Sequence, residues 1–364
     1  MSRKTVLIAG ASGLVGYAAM KHFASEPDCE VIAVSRRHPG ETYGARFIAA
    51  DLTDRGKCAT VFGAMQDVTH VIYAALYEKP GLVAGWRDAE QIATNDHMLR
   101  NLLDALEPAA KGLQHISLLQ GTKAYGVHVR PMQVPAREGR SEMRSLPNFY
   151  WNQEAYLREK QHGKAWAFSI FRPVLIVGYS QGSAMNLIPA IGVYAAMLKA
   201  AGEPLHYPGG PPRVAQAIDA DVLARCMAWA GTAEAACNET FNVANGDVYV
   251  WQNIWPAIAE ALGMQPGENR PMSLEDGILP REKHWARICA THNLAAPDLK
   301  SFVGLSFQYA DYQWGFGRDQ AAPPAFSSTI KLTQAGFHEV IDTEAMFVKW
   351  LREFQERRLL PSRQ

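Results

Sequence analysis

The sequence has few cysteines and no surplus of charge of either sign, and both features exclude classes of protein. Its five cysteines are Cys29, Cys58, Cys226, Cys237 and Cys289. No CxxC pair occurs among them, so we expect neither a disulfide framework nor a zinc site. Lys plus Arg equals Asp plus Glu, at 36 each, which gives a formal net charge of zero. Proteins that bind nucleic acid are usually basic, so nucleic acid is not an expected partner.

A long hydrophobic run is also missing. The longest uncharged apolar run, 187–198, is well short of the roughly 20 residues that a membrane-spanning helix requires. The apolar part of the stretch 1–16 is too short, and too interrupted by glycine, for a signal peptide. We therefore predict a cytoplasmic protein with reduced thiols and no membrane contact.

The first half of the chain alternates strand-like and helix-like patterns. Continuous apolar runs of this kind are typical of parallel strands that are buried on both faces. The clearest helical pattern, 89–109, lies between two such runs, and the alternation predicts a doubly wound α/β sheet of the Rossmann type. The strand-like runs cover 5–10, 29–35, 45–51, 68–75, 113–120 and 165–178.

The second half has a looser pattern, in which a Gly/Pro-rich turn at 206–213 separates two helix-like stretches. Residues 270–330 are rich in aromatic residues and proline but show no clear period. We predict a nucleotide-binding Rossmann domain over 1–180 and a smaller substrate domain over 181–364. Parts of the second half near 214–246 are expected to return to the sheet layer.

A glycine-rich loop follows the first predicted strand directly. The segment GASGLVG places Gly10, Gly13 and Gly16 at GxxGxxG spacing, and a helical pattern begins immediately after it. Glycines let the backbone approach a pyrophosphate, and the helix N-terminus then faces its negative charge. This strand–loop–helix context predicts a dinucleotide site. The alternative is a turn that needs glycine only for its shape.

The end of the second predicted strand indicates which dinucleotide binds. The sequence there is Ser35-Arg36-Arg37, where NAD-preferring sites usually carry an acid for the ribose 2′-hydroxyl. Two guanidinium groups suit a 2′-phosphate, so we predict NADP(H); the alternative is a pair of solvated arginines. Asp51, which ends the third strand, is either an acceptor for the adenine amino group or a turn cap.

Two tyrosines in the segment NFYWNQEAYLREK are candidates for the catalytic acid. Tyr156 and Lys160 have the YxxxK spacing, one helical turn apart on one face. The next strand follows closely, however, which puts this pair late in the helix, whereas ligands bind near helix N-termini at the carboxyl ends of the strands. Tyr150 lies in the first turn if Asn148 is the N-cap. Its i+4 position holds Glu154, and a carboxylate there would raise the tyrosine pKa.

The cation that assists Tyr150 must then come from another part of the chain. The segment GTKAYG directly follows the fifth predicted strand, so Lys123 lies on the loop beyond that strand's carboxyl end, on the same sheet edge as the glycine loop. Its position alone leaves two interpretations open, a catalytic lysine beside Tyr150 or an exposed loop lysine.

Several segments together resemble the progesterone 5β-reductase/iridoid synthase family of extended short-chain dehydrogenases/reductases. That family reduces activated C=C bonds with NADPH. The resemblance covers nearly the whole chain, and it implies that Tyr150 is the catalytic tyrosine and Lys123 its displaced lysine. The segments are GASGLVG, SRR, DLTD, HISLLQGTKAYG, NFYW, FRPVLIVGYS, SAMNLIPAIGVYAAM and FNVANGDVYVW.

The same resemblance implies further cofactor contacts by position. They lie in the pyrophosphate loop, the adenine pocket, the ends of the fourth and fifth strands, and the nicotinamide end of the site. In that order they are Ser12, Gly13, Leu14 and Val15; Asp51 and Leu52; Ala75, Leu76 and Leu119; and Ile176, Ser183, Ala184 and Met185.

The chain departs from the family pattern on the expected substrate side. Gln120 replaces the usual threonine before the glycine, and Trp151 replaces the usual tyrosine after Tyr150. The segment after Lys123 is slightly shorter, and it has His128 in a region where an aromatic residue is common. These changes weaken any carry-over of a steroid or iridoid substrate from the family.

The sequence therefore predicts an NADPH-dependent reductase of a small apolar enone or enal. No metal is expected, and a homodimer is one assembly that stays open. Three alternatives remain: carbonyl reduction, sugar-nucleotide epimerisation or dehydration on the same scaffold, and a sensor that binds NADP without turnover.

Overall fold

The computed structural model describes residues 4–79 and 85–363. In chain order the strands of this part are Lys4–Ala9 (β1), Cys29–Ser35 (β2), Arg46–Ala49 (β3), His70–Tyr73 (β4), His115–Leu119 (β5), Ala167–Pro173 (β6), Leu175–Val177 (β7), Leu205–Tyr207 (β8), Val214–Ala215 (β9), Ala217–Asp219 (β10), Glu239–Val243 (β11), Tyr249–Val250 (β12) and Pro266–Asn269 (β13).

The α-helices of the same residues are Leu14–Ala24 (α1), Arg55–Phe62 (α2), Ala89–Ala109 (α3), Phe149–Gln161 (α4), Leu187–Ala200 (α5), Ala220–Ala230 (α6), Trp251–Ala261 (α7), Leu274–Gly277 (α8), Glu282–Thr291 (α9), Leu299–Val303 (α10), Ser306–Trp314 (α11), Ile330–Gln334 (α12) and Thr343–Glu356 (α13). Short 3₁₀ helices cover Gly85–Arg87, Thr122–Tyr125 and Glu234–Ala236. None of the helices in these residues combines the length and the apolar character needed to cross a membrane.

The chain divides into two compact units. The first segment of the first unit ends at Val174, whereas the sequence pattern had placed the domain boundary at residue 180. The first unit also includes residues 327–339, which the sequence pattern had placed in the smaller domain. It consists of Met1–Val174, Ala220–Ala244 and Ser327–Glu339, and the second consists of Leu175–Asp219, Asn245–Phe326 and Val340–Gln364.

The first unit contains a seven-stranded sheet in the order β3-β2-β1-β4-β5-β6-β11, and every neighbouring pair is parallel. The predicted doubly wound fold is confirmed. Continuous apolar sequence explains it, because β1 buries Val6 to Ala9 completely and can therefore lie between helices on both faces of the sheet.

Helix positions in the first unit follow from local capping and apolar packing. Asp54, Asp88 and Asn148 cap α2, α3 and α4, each accepting a hydrogen bond from a backbone N–H of the first turn. Helix α3 packs between α2 and α4, and α1 packs against α6. The cap at Asn148 fixes the start of α4 and confirms that Tyr150 lies in its first turn.

The predicted strand 165–178 is split between the two units. β6 ends at Pro173, which has no N–H to donate to a ladder, and the chain resumes as β7, which pairs in parallel with β10 in the second unit. The second unit also contains α8 to α11 within the aromatic-rich region that had shown no period. These helices are short, at 4 to 10 residues, which is too few turns for a period to be recognised.

A buried histidine at the amino end of β5 provides a pH test of the first unit. The Nε2 atom of His115 lies 3.0 Å from Oγ of Ser169, whose hydroxyl donates to the carbonyl of Ala236. Burial, with a smaller contribution from His70, lowers the pKa of His115 to about 3. The folded state therefore favours the neutral imidazole. The contribution of His115 to folding stability is fully present above the pKa that histidine has in the unfolded chain, and it is lost as the pH falls below that value.

We expect His115→Gln to have a lower free energy of unfolding than the parent protein at pH 7.5. The difference between the two proteins should be about 2 kcal/mol smaller at pH 5. The shrinkage follows from an ordinary histidine pKa near 6.5 in the unfolded chain. Urea unfolding at the two pH values measures it. The exposed His97→Gln is the control; a deficit for His115→Gln that stays constant with pH would contradict the assignment.

Candidate active site

The glycine loop lies between β1 and α1, as its motif predicts. Gly10 has a φ of +88°, and a Cβ at that position would be 2.7 Å from the carbonyl carbon of Ala74. A Cβ at Gly16 would collide with the Gly10 carbonyl oxygen. Two of the three glycines are thus required by close approach of the backbone.

The N-terminus of α1 differs from those of the next three helices. Within the described residues no side chain caps it; Gly13 is the N-cap residue, and no acidic residue lies in the first turn. Of the predicted contacts, Leu14 and Val15 belong to this turn, and Ser12 directly precedes the N-cap residue. N–H groups at an uncapped helix start, together with the helix dipole, favour an anionic ligand. The loop and helix therefore fit a dinucleotide pyrophosphate.

The residues predicted to select the dinucleotide follow β2. Arg36 and Arg37 are both exposed, and the Ser35 hydroxyl donates to the carbonyl of Arg37 at 2.6 Å, which ties the strand end to the turn. The Asp51 carboxylate accepts hydrogen bonds from the N–H and the hydroxyl of Thr53. The backbone bond from Thr53 is the main cause of the lowered pKa of Asp51. Asp51 is thus a turn cap, while its contact with adenine stays a prediction.

Other predicted contacts also follow the carboxyl ends of parallel strands. Leu52 comes after β3, Ala75 and Leu76 follow β4, and Leu119 is the last residue of β5. In a parallel sheet these ends share one edge, which is where ligands bind. Ile176, Ser183, Ala184 and Met185 belong to the second unit, in β7 and in the turn before α5.

The two predicted catalytic residues meet around one indole ring. The Lys123 ammonium nitrogen is 3.7 Å from the centroid of the Trp86 ring. The Tyr150 ring lies edge-to-face with the same indole at 5.4 Å, and Phe149 packs beside both. A Cβ at Gly121 would be 3.3 Å from the Tyr150 hydroxyl oxygen. The glycine before Lys123 therefore lets this hydroxyl lie close to the loop.

A carboxylate that the sequence did not indicate lies beside this pair. Glu78 accepts a hydrogen bond from the Trp86 indole N–H at 2.9 Å. Burial lowers the pKa of Lys123 to about 8, while the Glu78 charge acts in the opposite direction. Burial raises the pKa of Tyr150 far above its usual value, Glu78 raises it further, and Arg172 lowers it. Tyr150 is consequently a neutral hydrogen-bond donor over the whole physiological pH range.

Our expectation that the Glu154 carboxylate would act on Tyr150 is wrong. Glu154 forms ion pairs with Arg144, Arg158 and Arg172. Burial alone would raise its pKa, but the arginines, Arg144 most strongly, hold that pKa below its usual range. Its charge is thus neutralised locally, and the carboxylate that acts on Tyr150 is Glu78.

Arg172 is the buried cation of this region, at 1 % exposure. Its Nε donates to the side-chain oxygen of Gln120 at 2.8 Å, and its Nη1 contacts Glu142 at 2.8 Å. The Gln120 amide nitrogen lies 3.3 Å both from the Tyr150 carbonyl oxygen and from the Glu154 carboxylate. The residue after β5 therefore holds the first turn of α4 in place.

The YxxxK pair is engaged elsewhere. The Tyr156 hydroxyl donates to Asp104 of α3 at 2.6 Å, and Lys160 donates to the same carboxylate oxygen at 3.0 Å. Asp104 thus joins α4 to α3 through both side chains. This is a packing contact between helices, away from the carboxyl edge of the sheet.

Sequence reasoning missed Glu78, Trp86 and Arg172. Glu78 and Trp86 lie before α3 in a stretch with no periodicity and no spacing motif, so no signal was available for either. Arg172 carried a signal, because it is a charged residue inside the apolar run of β6. A charge in a strand buried on both faces requires partners and marks a polar network.

Comparison with known proteins places the chain in a family. Residues 53–296 match the family described as a PRISE-like Rossmann-fold domain. The chain is 28% identical to an (S)-8-oxocitronellyl enol synthase from Catharanthus roseus over 382 residues, which cover 99% of this chain and 93% of the relative. It is 29% identical to a 3-oxo-Δ4,5-steroid 5β-reductase from Arabidopsis thaliana over 375 residues, with 98% and 92% covered.

Among solved structures the fold resembles a short-chain dehydrogenase/reductase superfamily protein from Agrobacterium tumefaciens, solved with bound NAD. The TM-score is 0.63 at 16% identity, and the match covers 98% of both chains. The family match extends from the end of the third strand well into the second unit, and the resemblance expected from the motifs is confirmed. The chain belongs to the family of PRISE-like Rossmann-fold domains, and it is an oxidoreductase of the short-chain dehydrogenase/reductase superfamily.

Proposed function

We propose that the protein reduces the C=C bond of a small apolar enone or enal with NADPH. The observation that supports this proposal best is the arrangement of Lys123 and Tyr150 around Trp86, beyond the carboxyl end of β5. Relatives named as an enol synthase and as a steroid 5β-reductase support the same reaction class.

The role of Tyr150 follows from its protonation state. When bound, the nicotinamide supplies a hydride, and negative charge then develops on the carbonyl oxygen of the enone. A buried phenol with a raised pKa keeps its proton, so it donates a hydrogen bond to that oxygen without transferring the proton first. A donor fixed where charge develops is among the strongest contributions to catalysis.

Lys123 contributes a positive charge to the same place. With a pKa of about 8 it is mostly protonated at neutral pH, and it lies over the Trp86 ring, which also makes an edge-to-face contact with Tyr150. Its field favours an enolate over the neutral enone. The α-carbon then receives its proton from water, which needs no further acid from the chain.

The surroundings of Tyr150 support an apolar substrate. Trp86, Ala124, Phe149 and Tyr150 form one buried cluster, and Leu76, Ile92 and Trp151 pack against it partly exposed. Apolar walls with a few polar groups that converge on one point are typical of small-molecule sites.

The reaction class is tested by incubating the protein with NADPH and a panel of small enones, enals, aldehydes and ketones. We expect NADPH to be oxidised only with the conjugated compounds, because hydride addition to the β-carbon depends on conjugation. Proton NMR of the products should show loss of the vinyl signals with the carbonyl retained. A product with an intact C=C bond and a new alcohol would establish a carbonyl reductase instead.

The cofactor preference is tested at Arg36 and Arg37. We expect NADPH to bind about tenfold or more tightly than NADH, because two exposed guanidinium groups can pair with the 2′-phosphate. Replacing both by serine should remove most of that difference and leave NADH affinity unchanged, as measured by fluorescence titration. Arg46→Ser, at the opposite end of the neighbouring β3, is the control. Equal affinities in the parent protein would contradict the prediction.

The catalytic assignment is tested by four variants in one assay. Tyr150→Phe keeps the ring and removes the donor, so turnover should fall roughly 10²-fold or more while NADPH affinity persists. Lys123→Met should also slow turnover, by a smaller factor. Tyr156→Phe and Lys160→Met should stay within a few-fold of the parent, since both side chains bind Asp104 instead. Loss of activity in Tyr156→Phe with an active Tyr150→Phe would reverse the assignment.

A further inference from the structure

Glu78 and Lys123 contact the same indole from two directions. Glu78 accepts the N–H of Trp86 at 2.9 Å, and the Lys123 ammonium lies 3.7 Å from the centre of the ring face. Trp86 is 2% exposed, so the contacts occur in a poorly solvated place where electrostatic interactions are strong. A carboxylate and an ammonium group thus contact the N–H edge and the face of one rigid side chain.

The indole couples these charges. A carboxylate that accepts the N–H draws positive charge to the ring edge and leaves the ring face more electron-rich. A more electron-rich face attracts a cation more strongly, and tryptophan already provides the best such face among the side chains. The Glu78 carboxylate therefore stabilises the charged form of Lys123 both directly through space and through the ring.

We infer that Glu78 is a positioning residue that, together with Trp86, holds Lys123 charged beside Tyr150. This inference concerns the site of the proposed reductase and rests on that proposed function for its catalytic consequence. The physical claim itself, a dependence of the Lys123 charge on Glu78, concerns the protein without substrate or cofactor.

The other ionisable groups near Lys123 act differently. Burial, Lys123 and Arg87 lower the pKa of His128 to about 4, so this imidazole is neutral in the working pH range. Tyr150 is neutral as well, because its pKa is strongly raised. Among the groups described, Glu78 is thus the neighbour whose negative charge opposes the effect of burial on Lys123.

The test measures the charge of Lys123 directly. The protein without cofactor is labelled with trace acetic anhydride between pH 6 and 11, and mass spectrometry follows acetylation of the Lys123 peptide against a free-amine standard. Only the neutral amine reacts, so the midpoint of the rate against pH gives the pKa. In Glu78→Gln the side-chain oxygen can still accept the Trp86 N–H while the charge is gone. We expect the midpoint to move about 0.5–1 pH unit lower.

Two further variants complete the design. Trp86→Phe keeps an aromatic face but loses the N–H donor, and its midpoint should move in the same direction by a smaller amount. Glu90→Gln removes an exposed carboxylate that pairs with Lys79 on the same segment, and its midpoint should equal that of the parent. An unchanged midpoint in Glu78→Gln or in Trp86→Phe would overturn the inference.

Kinetics then separate this inference from the proposed function. If the parent protein reduces an enone, the alkaline limb of kcat/KM should move to lower pH in Glu78→Gln and stay in place in Glu90→Gln. A merely structural role would lower kcat/KM at every pH without moving that limb. If the parent reduces no enone, the proposed function fails while the labelling midpoints still decide the inference about Glu78.

Discussion

The geometry of the site depends on the contacts of the buried Arg172 guanidinium. It lies on β6, and it bonds to Gln120 at the end of β5, to Glu142 in the connection before α4, and to Glu154 within α4. A buried cation without partners would cost several kcal/mol, so these elements must stay where the guanidinium can reach them. Gln120 extends the network to the Tyr150 carbonyl. Tyr150, the proposed catalytic tyrosine, is therefore placed by backbone and side-chain bonds that do not occupy its hydroxyl.

This arrangement differs in principle from a YxxxK helix. A lysine at i+4 would place its charge on the same helix face as the tyrosine, whereas here that face carries Glu154 and the charge comes from a loop. The pairing of Glu154 with Arg144, Arg158 and Arg172 cancels the carboxylate locally. The charges that act on the phenol are then Glu78, which raises the pKa of Tyr150, and Arg172, which lowers it. Because the lysine belongs to a different element, its charge can be adjusted by neighbours that do not disturb the helix.

Much of the fold could be predicted, because it depends on patterns within short segments. The run 29–35 matches β2 at both ends, and the pattern 89–109 matches α3 at both ends. A run of apolar residues cannot reveal where a strand leaves one sheet and joins another, so the division at Val174 was missed. The position of a residue shortly after a strand could be predicted, as for Lys123 in the 3₁₀ helix Thr122–Tyr125 that follows β5, while its catalytic role stays a prediction. It was not predictable where the partner is brought in by an aperiodic segment, as Glu78 and Trp86 are.

The pair Tyr156 and Lys160 shows why spacing alone does not identify a catalytic site. A YxxxK spacing places two side chains on one face of a helix, but it contains no information about what that face contacts. In α4 this face meets Asp104 of α3, and the tyrosine and the lysine both bind its carboxylate. Catalysis requires the end of the helix that lies at the carboxyl edge of the sheet, and Asn148 determines that end by capping the first turn at Tyr150. The proposed assignment of the chemistry to Tyr150 therefore rests on the position of the helix cap, two residues before the tyrosine, and not on the spacing that follows it.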